Sequence, residues 1–317
     1  MRIFHGTDNA GILRGTVLTL GVFDGLHLGH QQIMRTVVER AKAIKAVPTV
    51  ITFDPHPRAV LHPESAPPLL QTLDQRLAAF EFLGIEQTIV IRFDKEFAET
   101  DAESFLRDTV SERLQAREVH LGKGFFFGKN RSGNIELLRK MSHELGFLAD
   151  EVPEVRLRGQ RISSSKIRQF LAEGKVNLAR RMLGRPYGVE GQIIHGFRRG
   201  HTIGFPTANL KPHNRVIPKY GVYATATLIE GVWRRSITNV GVRPTFESDT
   251  TPSIESYIFD FDANLYGNVL RVRFLHRIRD ERKFAGIDQL RAQIEKDTRR
   301  ALNYFSRRGV KNMLEIV

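Results

Sequence analysis

Cysteine is absent from all 317 residues. That excludes disulfides, thiolate nucleophiles and cysteine-bound metals, and it fits a reducing compartment, so a cytoplasmic location is expected. No run of about 18 apolar residues occurs, so no transmembrane helix and no membrane partner are expected. The opening Met1-Arg2-Ile3-Phe4-His5-Gly6 lacks the apolar core of a signal peptide. Acidic residues are in short supply, 35 against 48 Lys and Arg, for a net charge of +13. The imbalance is uneven: residues 1–183 carry +4 and residues 184–317 carry +9. A basic half favours anionic partners, namely nucleotides, nucleic acid or acidic surfaces. No RNP, zinc-finger or basic-zipper pattern is present, so a nucleic-acid-binding regulator is a remote alternative and no nucleic-acid partner is expected. Hydrophobic residues make up 41% of the chain, enough for a real core, and the length predicts two domains, 1–183 and 184–317.

What is present is organised around Gly21-Val22-Phe23-Asp24-Gly25-Leu26-His27-Leu28-Gly29-His30. The stretch follows the apolar run Thr16–Leu20, which reads as a buried strand. It precedes Gln31–Ala46, where Ile33, Met34, Val37, Val38, Ala41 and Ile44 fall at helical spacing. It is therefore a strand-to-helix turn. Its glycines permit a tight turn and close ligand approach. His27 and His30 share one face of the starting helix, whose N-terminus adds free N–H groups and positive potential. Two imidazoles there suit a triphosphate. A zinc site is disfavoured, because further ligands are missing nearby.

Alternating strands and helices follow: strands at Val47–Phe53, Thr88–Phe93, Glu118–Leu121 and Val152–Leu157, and helices at Thr72–Leu83, Asp101–Leu114 and Asn134–Gly146. The fold class expected is α/β, a doubly wound parallel sheet with right-handed crossovers. Phe53-Asp54-Pro55-His56-Pro57 displays Asp54 and His56 just beyond a strand's C-terminal end, where such sheets bind ligands. The glycine-rich Gly122–Gly133 fails the spacing of a Walker A loop and of a dinucleotide fingerprint. In Arg161-Ile162-Ser163-Ser164-Ser165-Lys166-Ile167-Arg168, serines cap a helix start, and the basic residues make an anion cradle with them.

Gly174–Arg185 reads as a helical linker, and the texture changes after it. Short β-rich runs at Tyr187–Ile194, Val222–Ile229, Val232–Val240, Glu255–Phe261 and Asn268–His276 predict a small β-barrel, with a last helix at about Ile287–Phe305. Between them, Gly196, Gly200, His201 and Gly204 lead into Phe205-Pro206-Thr207-Ala208-Asn209. In extended chain Thr207 and Asn209 point the same way, and their oxygens suit Mg²⁺, which keeps phosphates and waters as its other ligands.

Taken together, these stretches resemble the bacterial bifunctional riboflavin kinase/FMN adenylyltransferase (FAD synthetase) family, from about Gly21 to about Phe284. The form G-x-F-D-G-x-H-x-G-H is similar to that family's nucleotidyltransferase signature. The resemblance implies an HxGH-type adenylyltransferase domain, then a β-barrel riboflavin kinase domain with a C-terminal helix. ATP, riboflavin, FMN and FAD would be substrates or products and Mg²⁺ the cofactor. In the first half it implies catalytic His27 and His30, and ATP contacts from Gly21, Phe23, Asp24, His27, His30, Arg161, Ser164, Ser165 and Arg168. Asp54, His56, Gly122, Phe125 and Phe127 would line the FMN site. In the second half Gly196, Gly200, His201, Gly204, Pro206, Thr207 and Asn209 would hold ATP, with Thr207 and Asn209 on Mg²⁺. Arg243, Glu255, Arg277, Arg279 and Phe284 would hold the flavin, and Glu255 would be the catalytic base. Two departures stand out. Gly124 replaces the family's usual Asp or Asn, and His201 replaces an arginine. The first motivates a second reading, a riboflavin kinase whose N-terminal half binds nucleotide or flavin and adenylylates poorly. Oligomeric state is left open.

Overall fold

The computed structural model describes residues 1–194, 205–242, 252–261, 263, 265 and 267–308. The chain divides into two compact units, Met1–Ser163 and Ser164–Val317.

The first unit is built on a six-stranded sheet in the order β1 (Arg2–His5), β4 (Gln87–Arg92), β3 (Val47–Asp54), β2 (Thr16–Leu20), β5 (Glu118–Gly122), β6 (Leu148–Val152). Every pairing is parallel. Strands buried on both faces read as unbroken apolar and β-branched runs, and β2 is buried at all five positions. Helix α1 (Leu28–Ile44) covers β2, β3 and β5 with Ile33, Met34, Val37 and Ala41. The opposite face carries a cluster of Leu18, Leu20, Ile51, Phe53, Ile89, Val119 and Leu121. Phe105, Leu106 and Val110 pack on that cluster, as do Leu138 and Met141 of α6 (Ile135–Leu145). Two short helices, α2 (Pro57–Leu61) and α4 (Lys95–Ala98), and the longer α3 (Leu73–Phe82) lie between these elements.

The helix expected over Asp101–Leu114 is α5 (Ala102–Ser104) widening into a π-helix over Phe105–Arg113. Its buried positions, 105/106, 109/110 and 114, recur every four to five residues, wider than an α-helical turn. The strand expected at Val152–Leu157 is instead β6, followed by a two-stranded antiparallel ribbon of β7 (Arg156–Leu157) and β8 (Gln160–Arg161). β6 is an edge strand of mixed polarity, so only its pairing to β5 reveals it. β1 was not expected either; it is mostly exposed and pairs only with β4.

Chain order decides where a ligand can bind. From β2 the crossovers run outward through β3 to β4, and the chain then returns to place β5 on the other side of β2. Strand order therefore reverses between β2 and β5. Doubly wound sheets bind their ligands at the carboxyl ends of the strands flanking such a switch point. The Gly21–His30 turn leaves β2 there, and the Gly122–Gly133 loop leaves β5 there.

The second unit opens with α7 (Ser164–Ala172) and α8 (Val176–Leu183), separated by Gly174 at φ +75° and closed by Gly184 at φ +75°. A closed antiparallel barrel follows, in the order β10 (Thr207–Pro212), β13 (Pro252–Ile258), β12 (Val232–Val242), β11 (Gly221–Ile229), β14 (Val269–Arg279), β9 (Tyr187–Ile194). Part of its interior is a chain of hydroxyls. Thr225 meets Ser236 at 2.8 Å and Thr238 at 2.7 Å, and Ser256 meets Thr238 at 2.8 Å. The last helix, α9 (Ile287–Arg308), packs Ala301 and Phe305 on the barrel's outer face, against Ala224, Ile237 and Leu275.

Candidate active sites

In the first unit the HxGH turn is shaped by its own side chains. His27 is the N-cap of α1, and its Nδ1 accepts from the His30 amide at 3.3 Å. The two imidazoles stack with centroids 3.6 Å apart and planes within 20°. Phe23, in the left-handed region at φ +53°, sets its ring edge-on to His30 at 5.3 Å. A Cβ on Gly29 would lie 3.2 Å from His27 Cε1, so glycine there leaves room for the imidazole. No acidic residue occupies the first turn of α1. Two imidazoles are thus presented with the positive end of a 17-residue helix, an arrangement whose potential and free N–H groups suit an anion.

Asp24 is 4% exposed, and its carboxylate accepts from the amides of Leu70, at 2.9 and 3.1 Å, and Gln71, at 3.2 Å. The structure thus shows Asp24 clamping the 66–72 segment against the turn. Gly21 lies against the Phe23 ring. Asp54 and His56 stand at the end of β3. Asp54 receives Arg76 at 3.3 Å, and His56 caps α2 by accepting from the Arg58 amide at 3.0 Å.

The loop after β5 is pinned by reciprocal Phe127–Gly133 backbone bonds of 3.0 and 2.9 Å. Phe127 is in the core and Phe125 packs against it, while Phe126 points out with the Arg131 guanidinium 4.5 Å from its ring. Gly122 faces Ile33, whose Cδ1 would be 2.8 Å from an added Cβ. Gly124 sits at φ +71° with nothing within 4 Å of where a Cβ would stand, and its amide donates to Glu151 Oε1 at 3.2 Å. Arg161, on the β7–β8 ribbon, pairs with Glu154 at 3.4 Å.

In the second unit α7 begins at Ser164. Ser164, Ser165 and Arg168 fall within its first turn and a half, where no acidic residue stands. Ser164 and Arg168, four apart, share one face.

The barrel register assembles the second site. Asn209 on β10 pairs with Glu255 on β13, Glu255 with Asn239 on β12, Asn239 with Val222 on β11, and Val222 with Arg279 on β14. Directly paired residues project to the same face, so one row across five strands carries Asn209, Glu255, Asn239 and Arg279 on the outside of the barrel. Thr207, two residues before Asn209, shares that face and pairs with Tyr257, against which Phe205 packs edge-on at 5.2 Å; Pro206 lies between Phe205 and Thr207. The β-rich run Glu255–Phe261 predicts Glu255 at the start of its strand. It lies mid-strand, because β13 begins at Pro252, paired to Val242. A proline is admissible as the first residue of a strand but masks it in a sequence reading.

Arg277 donates to the Tyr220 carbonyl at 2.7 Å, to Asp280 at 2.8 Å and to Tyr223 Oη at 3.2 Å. Arg279 pairs with the buried Asp297 of α9 at 2.7 Å and lies 5.7 Å from the Phe284 ring. Gly196, Gly200, His201, Gly204 and Arg243 lie outside the described residues. Among the described residues, no group of three or more His, Asp or Glu side chains could hold a metal ion by itself.

Three residues escaped the sequence reading. Arg76 is fully buried and donates to Val22 O at 2.9 Å, Thr52 Oγ1 at 3.1 Å and Phe53 O at 3.4 Å, besides Asp54. Burial pulls its pKa below the ordinary arginine value, with Asp54 and Asp24 opposing. Asn239 enters only through strand register. Ser253, 5% exposed, donates to Glu255 Oε1 at 3.1 Å. An arginine within a helical pattern reads as surface charge, and no local signal distinguishes these three.

A doubly wound α/β unit of the nucleotide-binding kind followed by a closed antiparallel barrel is the class these features define. Residues 10–166 match the FAD synthetase family and residues 183–305 the riboflavin kinase family. The bifunctional riboflavin kinase/FMN adenylyltransferase of Haemophilus influenzae is 38% identical over 96% of this chain and 100% of its own. That of Bacillus subtilis is 38% identical over 92% of this chain and 93% of its own. A crystal structure from Streptococcus pneumoniae, named as a macrolide-efflux protein, superposes with a TM-score of 0.86 at 31% identity, covering 95% of this chain and 99% of that one. Among the described residues here, no helix is long and apolar enough to cross a membrane. The chain belongs to the bifunctional riboflavin kinase/FMN adenylyltransferase family, whose two activities make FMN and then FAD.

Proposed function

We propose that this chain carries out both reactions in the cytoplasm, with adenylylation assigned to residues 1–183 and phosphorylation to residues 184–317. The observation that carries the reading is the stacked His27–His30 pair at the helix N-terminus beside the sheet's switch point. In the first reaction a phosphate oxygen of FMN attacks the α-phosphorus of ATP. A new P–O bond forms, the bond to the β-phosphate oxygen breaks, and pyrophosphate leaves. No proton need be taken from carbon and no covalent enzyme intermediate is required, so the work is positioning and charge stabilisation. His27 and His30 meet the charge that grows on the transferring phosphate. Arg161, Ser164, Ser165 and Arg168 take the outer phosphates. Asp54, His56, Gly122, Phe125 and Phe127 frame the flavin.

In the second reaction the 5′-hydroxyl of riboflavin attacks the γ-phosphorus of ATP, its proton passes to Glu255, and ADP leaves. Pro206, Thr207 and Asn209, with the glycines preceding them, hold ATP. Arg243, Arg277, Arg279 and Phe284 hold the flavin end. Thr207 and Asn209 offer neutral oxygens on the same face as the Glu255 carboxylate, a donor set that fits Mg²⁺ bound mainly through nucleotide phosphates. There the ion would neutralise phosphate charge.

Chromatography of products from two incubations with ATP and Mg²⁺, one given riboflavin and one FMN, tests the reading. FAD from both, with FMN appearing in the first, is the expected result. FMN without FAD would reduce the first half to a binding module, the reading that Gly124 motivates.

A further inference from the structure

Glu255 has one carboxylate oxygen already committed. Ser253 lies two residues before it on β13, so both side chains project to the same face. The Ser253 hydroxyl, buried at 5% exposure, donates to Glu255 Oε1 at 3.1 Å. The residue across from Ser253 on β12 is Gly241, which presents no side chain. A Cβ at Gly241 would stand 2.2 Å from Glu281 Oε1, so glycine is what admits that second carboxylate beside the serine. A second carboxylate thus stands over the residue paired with Ser253. A glutamate side chain left to itself there would rotate about its last bond, and a base that rotates is rarely aligned with the proton it must take.

We infer that Ser253 is a positioning residue for riboflavin phosphorylation: it fixes the Glu255 carboxylate through Oε1 and so aims Oε2 at the substrate 5′-hydroxyl. The step itself is unchanged. The hydroxyl oxygen forms its bond to the γ-phosphorus as its proton goes to Oε2, and the bond to the β-phosphate oxygen breaks. Ser253 keeps its own proton throughout and acts only through Glu255. This inference rests on the reading of Glu255 as the base.

The test is steady-state kinetics on the full chain with Ser253→Ala, Ser253→Thr, Glu255→Gln and the double variant Ser253→Ala/Glu255→Gln. FMN-to-FAD conversion is followed in parallel to normalise for the amount of intact chain, and a thermal melt with and without riboflavin checks that the barrel of each variant is folded. Ser253→Ala is expected to lower kcat for riboflavin phosphorylation by about tenfold or more, the scale of one hydrogen bond to a charged group, with both KM values unchanged. Ser253→Thr keeps the hydroxyl and restores most of kcat. In the Glu255→Gln background the alanine change adds nothing, because a residue that works only through Glu255 has nothing left to position. An unchanged kcat in Ser253→Ala overturns the inference. So does a loss that threonine does not restore, or one that adds in full to Glu255→Gln. If Glu255→Gln itself keeps full kinase activity, the assignment of the base fails first, and the two failures are told apart.

Discussion

The guanidinium of Arg76 donates to the backbone carbonyl of Val22 at 2.9 Å. One buried side chain on α3 thereby ties the turn after β2 to the end of β3, since the same group reaches Phe53 O and Asp54. Replacing Arg76 with Met would strip these acceptors of their donor at once. The expected loss is about 2–4 kcal/mol in stability, the scale of breaking a buried charged network. FMN adenylylation should fall while riboflavin phosphorylation in the same preparation stays near wild type. Arg76→Lys keeps the charge but not the planar fork, so it should recover only part of the loss. Thermal melts and the two assays, run side by side, check this.

His27 has two jobs that can be separated. Its Nδ1 caps α1, and its ring stacks on His30. Asparagine is a good N-cap but carries no imidazole. His27→Asn should therefore melt close to wild type yet lose roughly a hundredfold or more in FAD formation, as removal of one transition-state donor does elsewhere. An unimpaired His27→Asn enzyme would take the imidazole out of the mechanism.

Gly124 and Gly25 make opposite predictions. Gly124 has a positive φ but open space around it, and asparagine tolerates that conformation better than most residues. Gly124→Asn should fold normally and raise the rate of FAD synthesis; no gain would acquit Gly124 of slowing the first half. Gly25 has φ +80°, and an added Cβ would lie 2.5 Å from Leu70 Cδ1. Gly25→Ala should destabilise by about 1–3 kcal/mol through strain and overpacking, and weaken adenylylation by displacing the turn.

Acid sensitivity should trace to Glu118. It is 3% exposed, and hydrogen bonds from Arg40 and His120 hold its carboxyl below the ordinary glutamate range against the opposing effect of burial. The folded state therefore binds fewer protons than the unfolded one in the acid range. The stabilisation is fully present above the ordinary glutamate value of 4.5 and is lost as pH falls from there through the lowered folded value. Denaturant midpoints of the wild type should drop across that window. Glu118→Gln should start lower by about 1–3 kcal/mol and show a flatter slope there.

Local pattern carried much of the architecture. β2, α1, β3 and α6 lie close to where apolar pattern and capping residues predict them, because the two strands are continuous buried runs within the sheet and the two helices bury one face against it and carry their own caps. What local pattern missed were elements whose partners lie far along the chain. The edge strands β1 and β6 and the first half of β13 carry weak apolar signals and exist through hydrogen bonds to β4, β5 and β12.

The same division holds for the sites. His27, His30, Thr207, Asn209 and the family they indicate are contiguous motifs, legible because one turn or one strand places all their members. The row from Asn209 through Glu255 and Asn239 to Arg279 comes from five strands, and Arg76 reaches the turn after β2 and the end of β3 from a helix more than twenty residues on. The amino-acid sequence alone determined the two folds, their order and the chemistry on offer. Which side chains meet around the β2 turn and along the barrel row was decided by strand register and burial, because a hydrogen bond depends on distance in space and carries no trace in sequence separation.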